Sequence, residues 1–342
     1  MTAPGPVAAQ AGDAQWAGPL LQIADLRVRF SQRGRQVHAV NGVSYSVWPG
    51  TTLAIVGESG SGKTVSSRAV MGLLPGTAAV TGSVRFQGQE LLGLTDAQMR
   101  SRRGRDMAMV FQDPSRSLNP TMRVGIQVAE AVRAHLRLDR RAAHDRALEL
   151  LHLVRLPMPR RRFVEYPHQL SGGMRQRVMI AIALACRPKL LIADEATTAL
   201  DVTTQAQIME LLIELSEQLG MALVLISHDL GLAASYTDEV IVMYAGRIVE
   251  QAPTPELFSR VRMPYTKVLL DAIPRLERSS HSLFPVIGGQ PPDMVSLPPG
   301  CPFAPRCPSA QERCVQENPP LAEHDPGHRW ACWYPCPDGS PN

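Results

Sequence analysis

Short apolar runs alternate with helical patterns along most of the first 250 residues. Residues 20–48 carry alternating β-type stretches, and Thr51–Val56 is an apolar strand that leads into a glycine loop. A helical pattern follows over Lys63–Leu74. The continuous apolar runs Leu190–Ala193 and Leu223–Ile226 are typical of buried parallel strands. This alternation predicts an α/β domain with a mostly parallel sheet.

The remaining segments divide the chain further. Residues 1–19 are rich in Ala, Gly and Pro, and we expect a disordered tail that lacks the basic start and apolar stretch of a signal peptide. Asp106–Phe111 is a short strand, and the helix-rich stretch 113–170 is long enough for a subdomain. Residues 251–342 are rich in Pro and Cys and predict a separate C-terminal appendage.

Composition narrows the classes of function. Of the 342 residues 44% are hydrophobic and 19% charged, which allows a sizeable core. The net charge of +4 is too mild to indicate nucleic acid binding. The arginine clusters Arg100–Arg105 and Arg160–Arg162 favour solvated faces over contact with a protein or membrane surface. The longest apolar run, Val178–Cys186, is too short to span a membrane, so we expect a cytosolic chain.

The strongest motif is GESGSGKT, which matches the phosphate-binding loop pattern G-x-x-x-x-G-K-[ST]. Glycines let backbone N–H groups turn toward phosphates, and the following helix adds its positive end. Lys63 would reach the β- and γ-phosphates, and the Thr64 hydroxyl would ligate Mg²⁺. The predicted ATP-binding residues of this loop are Gly57, Glu58, Ser59, Gly60, Ser61, Gly62, Lys63 and Thr64.

A second motif, KLLIADEATTALD, ends a buried strand in two adjacent carboxylates. Asp194 can hold the Mg²⁺ shell, while Glu195 can orient or deprotonate the attacking water. Acids that cap a helix N-terminus are the alternative. That alternative is weaker here because a phosphate-binding loop precedes the motif in the same chain.

Between these motifs lies LSGGMRQR, Leu170–Arg177, directly before a helical pattern. Two glycines after Ser171 expose backbone donors at a helix N-terminus, which favours a phosphate cradle. Taken alone, SGG is an ordinary turn, so the motif gains its meaning from its place between the other two.

In this order the motifs resemble the nucleotide-binding domain of an ABC transporter over residues 20–250. The resemblance rests on the phosphate-binding loop, FQDP, LSGGMRQR, IADE, ALD and ISHD. It implies a P-loop ABC-type fold with a mostly parallel core sheet, an antiparallel β subdomain and a helical subdomain. It also implies that Glu195, His228 and Gln112 are catalytic, and that Thr64, Gln112 and Asp194 hold Mg²⁺.

The same resemblance implies further roles and partners. Ser171, Gly172, Gly173 and Gln176 would close over ATP held by a second ATPase subunit, and Asp201 would bridge the two subunits. Phe30 is a candidate for stacking on adenine. Gln112 would relay the nucleotide state to a membrane partner. The chain would then lie peripherally on the cytoplasmic side of the membrane, with two permease subunits and, indirectly, an external solute-binding protein.

Motifs in the C-terminal tail indicate which group of ABC transporters the chain resembles. MPYTKVLLDAIP followed by PPGCPFAPRCP resembles the tail of ATPases in dipeptide and oligopeptide importers, although Met263 stands where that family usually has His. Some nickel importers share this tail. A second departure is Ala196, where the family usually has Pro, but the catalytic groups are intact. A heterodimer with a homologous ATPase is expected from this resemblance.

Two other classes of ABC protein are alternatives to a transport ATPase. Soluble ABC ATPases that act on DNA or ribosomes share these motifs, but they typically carry coiled-coil insertions, zinc modules or two ATPase halves in one chain. A non-enzymatic regulatory subunit is opposed by the intact Glu195 and His228. Among the three, the sequence favours the ATPase of an importer.

The cysteines predict a metal site in the tail. Cys301, Cys307, Cys314 and Cys332 can provide four thiolates for a [4Fe–4S] cluster or, alternatively, for Zn²⁺. Their spacing lacks the close pair of most zinc sites, and the peptide-importer tail that they resemble can carry such an iron–sulfur cluster. Cys336 could substitute as a ligand, but we expect it to lie outside the site. Free cysteines in a flexible tail are the remaining alternative.

Overall fold

A computed structural model describes residues 16–32, 34–198, 200–273 and 288–337. Part of the expected disordered tail, residues 1–15, lies outside this range. The strands are β1 Leu21–Gln32, β2 Arg35–Val47, β3 Thr52–Val56, β4 Ala78–Phe86, β5 Gln89–Glu90, β6 Met107–Val110, β7 Leu190–Asp194, β8 Ala222–Ser227, β9 Glu239–Tyr244, β10 Arg247–Pro253, β11 Ala322–Asp325 and β12 His328–Trp330. The α-helices are α1 Lys63–Val70, α2 Asp96–Arg102, α3 Pro114–Ser117, α4 Val124–His135, α5 Arg140–Leu153, α6 Pro159–Phe163, α7 Gly172–Ala183, α8 Val202–Leu219, α9 Leu230–Tyr236, α10 Thr254–Ser259, α11 Pro264–Asp271 and α12 Glu312–Gln316.

The main sheet has the strand order β11-β12-β10-β9-β3-β8-β7-β6. Its central strands β6, β7, β8, β3 and β9 pair in parallel, while β10, β12 and β11 pair antiparallel. Every residue of β7 is buried, as expected for a strand covered on both faces. The predicted α/β fold with a mostly parallel core sheet is therefore confirmed.

A second sheet, of order β2-β1-β4-β5, is antiparallel throughout. The inward side chains of β1 alternate along the strand, and Leu21, Ile23, Leu26 and Val28 are buried. They form one core with α1 and with the near face of the main sheet. This packing places the antiparallel sheet next to the helix that follows the glycine loop.

The stretch 113–170 contains α3 to α6 and the 3₁₀ helix Pro167–Gln169. Its helices α4 and α5 bury Val128, Val132, Leu150 and Leu151 completely. These side chains join those of α7 and α8 in a single core on the other face of the main sheet. The LSGG motif therefore lies at the start of α7, and α7 packs against both the helical layer and the main sheet.

The C-terminal residues extend the main sheet and add a third core. In β12, Trp330 pairs with Glu250 of β10, so the tail continues the sheet across the expected boundary at residue 250. Tyr265 and Phe303 are buried beside Tyr244 of β9. Residues 274–287 and 338–342 of the expected appendage lie outside the described range.

The predicted elements agree with the observed ones except at some ends. Helix α1 stops at Val70, four residues before the predicted end at Leu74. Gly72 has a φ of +61° and Pro75 follows shortly after, and both terminate helices. Within the described ranges, no helix combines the length and apolar character needed to cross a bilayer.

Candidate functional site

The residues of the predicted ATP site lie at the carboxyl edge of the parallel strands. The glycine loop follows β3, Asp194 ends β7, Gln112 follows β6 by two residues and His228 follows β8. Because β3, β8, β7 and β6 are neighbours in that order, the sheet brings segments that are far apart in sequence to one edge. This is the edge at which open α/β sheets bind ligands.

At two positions the glycine loop adopts a backbone conformation that a residue with a Cβ atom could not adopt. Gly57 and Gly62 have φ values of +149° and +99°. A Cβ on Gly57 would lie 2.2 Å from the Met243 carbonyl oxygen, and one on Gly62 would lie 2.4 Å from that of Ala39. Glycine is therefore required twice within this loop, both for its φ values and for the close packing of neighbouring backbone.

Lys63 folds back onto the loop. Its Nζ donates to the carbonyl oxygens of Gly57 at 2.7 Å and Glu58 at 2.8 Å, and the residue is 3% exposed. Burial lowers the pKa of Lys63, while the carboxylates of Glu195, Asp194 and Glu58 oppose that shift. The ammonium group is thus held at the loop, with its hydrogen bonds directed to groups that a phosphate could replace.

Thr64 and Asp194 form the expected pair of oxygen donors. The Thr64 Oγ1 donates to Asp194 Oδ1 at 2.7 Å, and Asp194 is 1% exposed at the end of β7. Burial raises the pKa of Asp194, and the hydrogen bond from Thr64 partly counteracts this. A hydroxyl beside a desolvated carboxylate fits a hard divalent cation such as Mg²⁺, which would relieve the cost of burying that charge.

Glu195 sits in a strained position directly after Asp194. Its φ is +49°, in the left-handed region, and its N–H donates to the Ile226 carbonyl oxygen at 3.0 Å. Gln112 Nε2 donates to Glu195 Oε2 at 2.7 Å, so the two predicted catalytic side chains touch. Strain of this kind concentrates at functional sites, where the surroundings fix an otherwise unfavourable backbone.

Two further predicted residues, His228 and Phe30, occupy different settings. His228 is exposed and precedes Asp229, whose carboxylate caps α9. Phe30 is half-buried in β1 and packs against the core beneath the antiparallel sheet. Among the residues that the structure describes, no hydrogen bond or ion pair joins either side chain to the glycine loop, and their roles stay predictions.

The LSGG segment places Ser171 at the N-cap of α7. Its hydroxyl accepts from Met174 N at 3.3 Å, and Ser171 and Gly172 are exposed. Gly173 packs closely on the start of α8, since a Cβ there would lie 2.6 Å from Thr204 Cγ2. Asp201 caps α8 from the solvent side, and a hydrogen bond from the Thr204 backbone lowers its pKa. An exposed helix N-terminus therefore lies beside an exposed carboxylate.

Gln176 differs from the other residues of this segment. It is 1% exposed, and neither polar atom of its amide has a hydrogen-bond partner among the described residues. The side chain is therefore inside the protein, and in this conformation it does not present itself to a second subunit. A buried, unpaired amide of this kind is uncommon.

The tail supplies two contacts to the loop that sequence reasoning missed. Glu58 N–H donates to the hydroxyl of Tyr265 at 2.9 Å, and Arg306 donates to both carboxylate oxygens of Glu58. Tyr265 lies in MPYTKVLLDAIP and Arg306 in PPGCPFAPRCP, but neither motif carries a signal that points to the loop.

The four cysteines of the predicted metal site line one small cavity with apolar neighbours such as Phe303 and Trp333. Burial raises the pKa of the Cys301 and Cys307 thiols and raises that of Cys332 to about 12. Cys336 is not part of this lining. Within the described ranges, however, no three or more His, Cys, Asp or Glu side chains are grouped closely enough to hold a metal ion.

Known proteins share this architecture. The ABC transporter family matches residues 40–198, and the C-terminal region of oligopeptide/dipeptide transporters matches residues 249–314. The chain is similar to a dimeric ATP-binding cassette solved in a post-hydrolysis state with ADP and Pi. That likeness has a TM-score of 0.62 and 28% identity, and it covers 68% of this chain and 98% of the cassette.

Curated relatives agree over almost the whole chain. The oligopeptide transport ATP-binding protein OppD of Escherichia coli (strain K12) is 48% identical over 98% of this chain and 97% of its own length. The protein of the same name from Mycobacterium bovis is 50% identical over 92% of this chain, but the chain spans only 52% of that relative. The chain therefore belongs to the ABC transporter family of ATP-binding proteins, in the group whose members are named for oligopeptide and dipeptide transport.

Proposed function

We propose that the chain hydrolyses ATP to drive uptake of di- or oligopeptides through an ABC importer. The observation that carries this proposal is the contact set at one sheet edge, where the loop lysine, the Thr64–Asp194 pair and the Gln112–Glu195 pair lie together. The similarity of the tail to oligopeptide and dipeptide transporters supports peptides as the solute.

In this proposal each group has its own step. Backbone N–H groups of Gly57–Thr64 and the Lys63 ammonium bind the phosphates, while Thr64, Asp194 and Gln112 would hold Mg²⁺. When bound, Mg²⁺ supplies positive charge to the phosphate oxygens. Glu195 orients the attacking water or accepts its proton, Gln112 positions the Glu195 carboxylate, and His228 contacts the γ-phosphate.

The site is completed by a second ATPase subunit, which is expected to be a homologue. Ser171 and Gly172 present an exposed helix N-terminus, and Asp201 presents an exposed carboxylate beside it. Such a surface fits the phosphates of an ATP molecule bound to the other subunit. Gln176 would have to leave its buried position to take part.

Two permease subunits are the proposed membrane partners, with the chain on the cytoplasmic side. An apolar cleft lies beside the segment that carries Gln112, and its lining includes Phe111, Leu118, Ala131, Met179 and Ile182. A permease helix seated there would contact both the helical layer and the residue next to Gln112. Closure of the ATPase pair could then drive alternating access, with peptide delivered by an external binding protein.

Reconstitution tests this function against its alternatives. The chain, its homologous ATPase and the permeases in liposomes should show ATP hydrolysis that rises with a peptide-loaded binding protein. Stimulation by nickel alone would favour the nickel importer. Co-purification with DNA or ribosomes and not with permeases would favour the soluble class.

We also propose that the four cysteines hold a [4Fe–4S] cluster, with Zn²⁺ as the alternative metal. Their common apolar cavity supports this donor set, although the thiols would have to move together and lose their protons, since their raised pKa values favour the neutral form. A cluster would cross-link the cysteine-bearing segment, whose Phe303 already packs in the third core.

Anaerobic purification tests the metal proposal. The protein should be brown, with about four irons per chain, and Cys307→Ser should remove the colour while Cys186→Ser should not. Stoichiometric zinc in a colourless preparation would contradict the iron assignment. A preparation without metal would contradict both.

A further inference from the structure

Arg306 joins the cysteine-bearing tail to the phosphate-binding loop. It ends the 3₁₀ helix Ala304–Arg306, between Cys301 and Cys307. Its Nη1 and Nη2 donate to the two carboxylate oxygens of Glu58 at 2.8 and 2.9 Å, and its side chain is 5% exposed. A bidentate pair of this kind fixes orientation as well as charge.

The guanidinium is held by more than Glu58. Its Nε donates to the Gly288 carbonyl oxygen at 2.9 Å, and Nη1 also reaches the Tyr244 hydroxyl at 3.1 Å. The hydrogen bond to Glu58 raises the pKa of Arg306, with burial acting against it. Since several groups orient the same side chain, Arg306 is a fixed donor and not a mobile surface arginine.

A second bond from the tail holds the backbone of the same loop residue. Tyr265 is fully buried, and its hydroxyl accepts from Glu58 N–H at 2.9 Å. Its ring packs at 4.5 Å from that of Tyr244 and at 5.2 Å from that of Phe303. The tail thus restrains both the carboxylate and the peptide N–H of Glu58.

Glu58 in turn touches the phosphate-binding lysine, because its carbonyl oxygen accepts from Lys63 Nζ at 2.8 Å. Glu58 also places a negative charge in a loop that must receive phosphates. When the Glu58 carboxylate is paired with Arg306, its charge does not repel the phosphates of ATP. An unpaired Glu58 carboxylate would repel them.

We infer that Arg306 is a positioning residue of the ATP site. It holds and neutralises Glu58, and so makes the shape and charge of the phosphate-binding loop depend on the folded tail. The inference rests on the proposed binding of ATP at this loop, but it needs neither a peptide substrate nor a metal in the cysteine cavity.

The decisive experiment compares Arg306→Gln with Arg313→Gln in the full chain. Arg313 is a matched control in the same region, since it pairs with Glu317 on the surface. Titration with a fluorescent ATP analogue and Mg²⁺ should show about tenfold weaker binding for Arg306→Gln, because the Glu58 charge is left unpaired. Arg313→Gln should bind like the wild type, and kcat at saturating ATP should change less than KM.

A double variant separates positioning from general damage. Glu58→Gln combined with Arg306→Gln removes both charges and should recover most of the lost affinity, whereas independent damage would add up. Hydrogen exchange of residues 52–64 should rise in Arg306→Gln and fall back in the double variant. A lowered melting temperature with unchanged ATP affinity would overturn the inference.

Tyr265→Phe tests the same inference if Arg306→Gln does not fold. It keeps the buried ring but removes the acceptor of Glu58 N–H, and it should weaken ATP binding with faster exchange in the loop. Unchanged affinity and exchange in that variant would overturn the inference. Failure of the wild-type chain itself to bind ATP would instead overturn the proposed function.

Discussion

Two neighbouring carboxylates at the end of β7 have different surroundings. Asp194 is almost fully buried, accepts from Thr64, and has a pKa raised by burial. Glu195 is half-buried and accepts from Gln112 with a left-handed backbone. A desolvated carboxylate suits a cation ligand, and a more accessible one suits a water molecule. The division of roles that we propose thus follows from environment, because the two residues carry the same functional group.

Replacing Glu195 with Gln should keep ATP binding and lower the hydrolysis rate at least about a hundredfold. The amide preserves size and the contact with Gln112 but cannot accept a proton. Steady-state phosphate release and nucleotide titration measure the two effects separately. The matched control is Glu217→Gln on the exposed face of α8. Hydrolysis near the wild-type rate in Glu195→Gln would contradict its catalytic assignment.

Asp194→Asn should raise the melting temperature of the nucleotide-free, Mg²⁺-free protein at pH 8. The folded pKa of Asp194 is raised above its unfolded value, so ionisation destabilises the fold as pH rises through the folded pKa. The neutral amide avoids this cost, and a gain of about 2 °C or more is expected.

The pH dependence is the diagnostic feature of that gain. The difference in melting temperature should shrink as pH is lowered toward the ordinary pKa of an aspartate, because the wild-type carboxyl, with its raised pKa, takes up its proton before that point. Glu210→Gln, an exposed change on α8, should show no such trend. A gain that does not vary with pH would contradict the desolvation argument.

At the scale of the elements, the glycine loop shows which features the sequence predicts and which it does not. The motif predicted the loop, the strand before it and the helix after it, because spacing and residue type are local. The sequence did not predict that Gly62 lies against the Ala39 backbone, since that contact joins β2 to the loop. It also did not predict the burial of Gln176, because α7 packs against both helices and sheet and has no single polar face.

Two glycines of the loop should therefore respond differently to Ala. A Cβ on Gly62 would meet the Ala39 carbonyl oxygen at 2.4 Å, whereas one on Gly60 would meet nothing within 4 Å. Both residues have positive φ, so both variants carry backbone strain of about 1 kcal/mol. Only Gly62→Ala adds a clash at the start of α1. Its ATP affinity should fall about tenfold further than that of Gly60→Ala in a nucleotide titration.

At the scale of the whole molecule, the tail and the ATP site form one structure. Strand β12 extends the main sheet, and the ring cluster of Tyr244, Tyr265 and Phe303 fills the space between β9 and the cysteine segment. The sequence placed a boundary at residue 250 because composition changes there. Composition does not report pairing across a boundary, and the bond between Arg306 and Glu58 spans 248 positions of the chain.

The proposed pairing of two ATPase subunits can be tested at the exposed surface formed by Ser171, Gly172 and Asp201. With ATP and Mg²⁺, the Glu195→Gln chain should form a two-subunit particle, either with itself or with the homologous ATPase, as measured by light scattering after size exclusion. Ser171→Arg should block the pair, because a long side chain would fill the place of the partner's phosphates. Ser101→Arg, on the exposed side of α2, is the matched control. Full hydrolysis by a strictly monomeric preparation would show that each subunit completes its own site, and the trans arrangement would then be wrong.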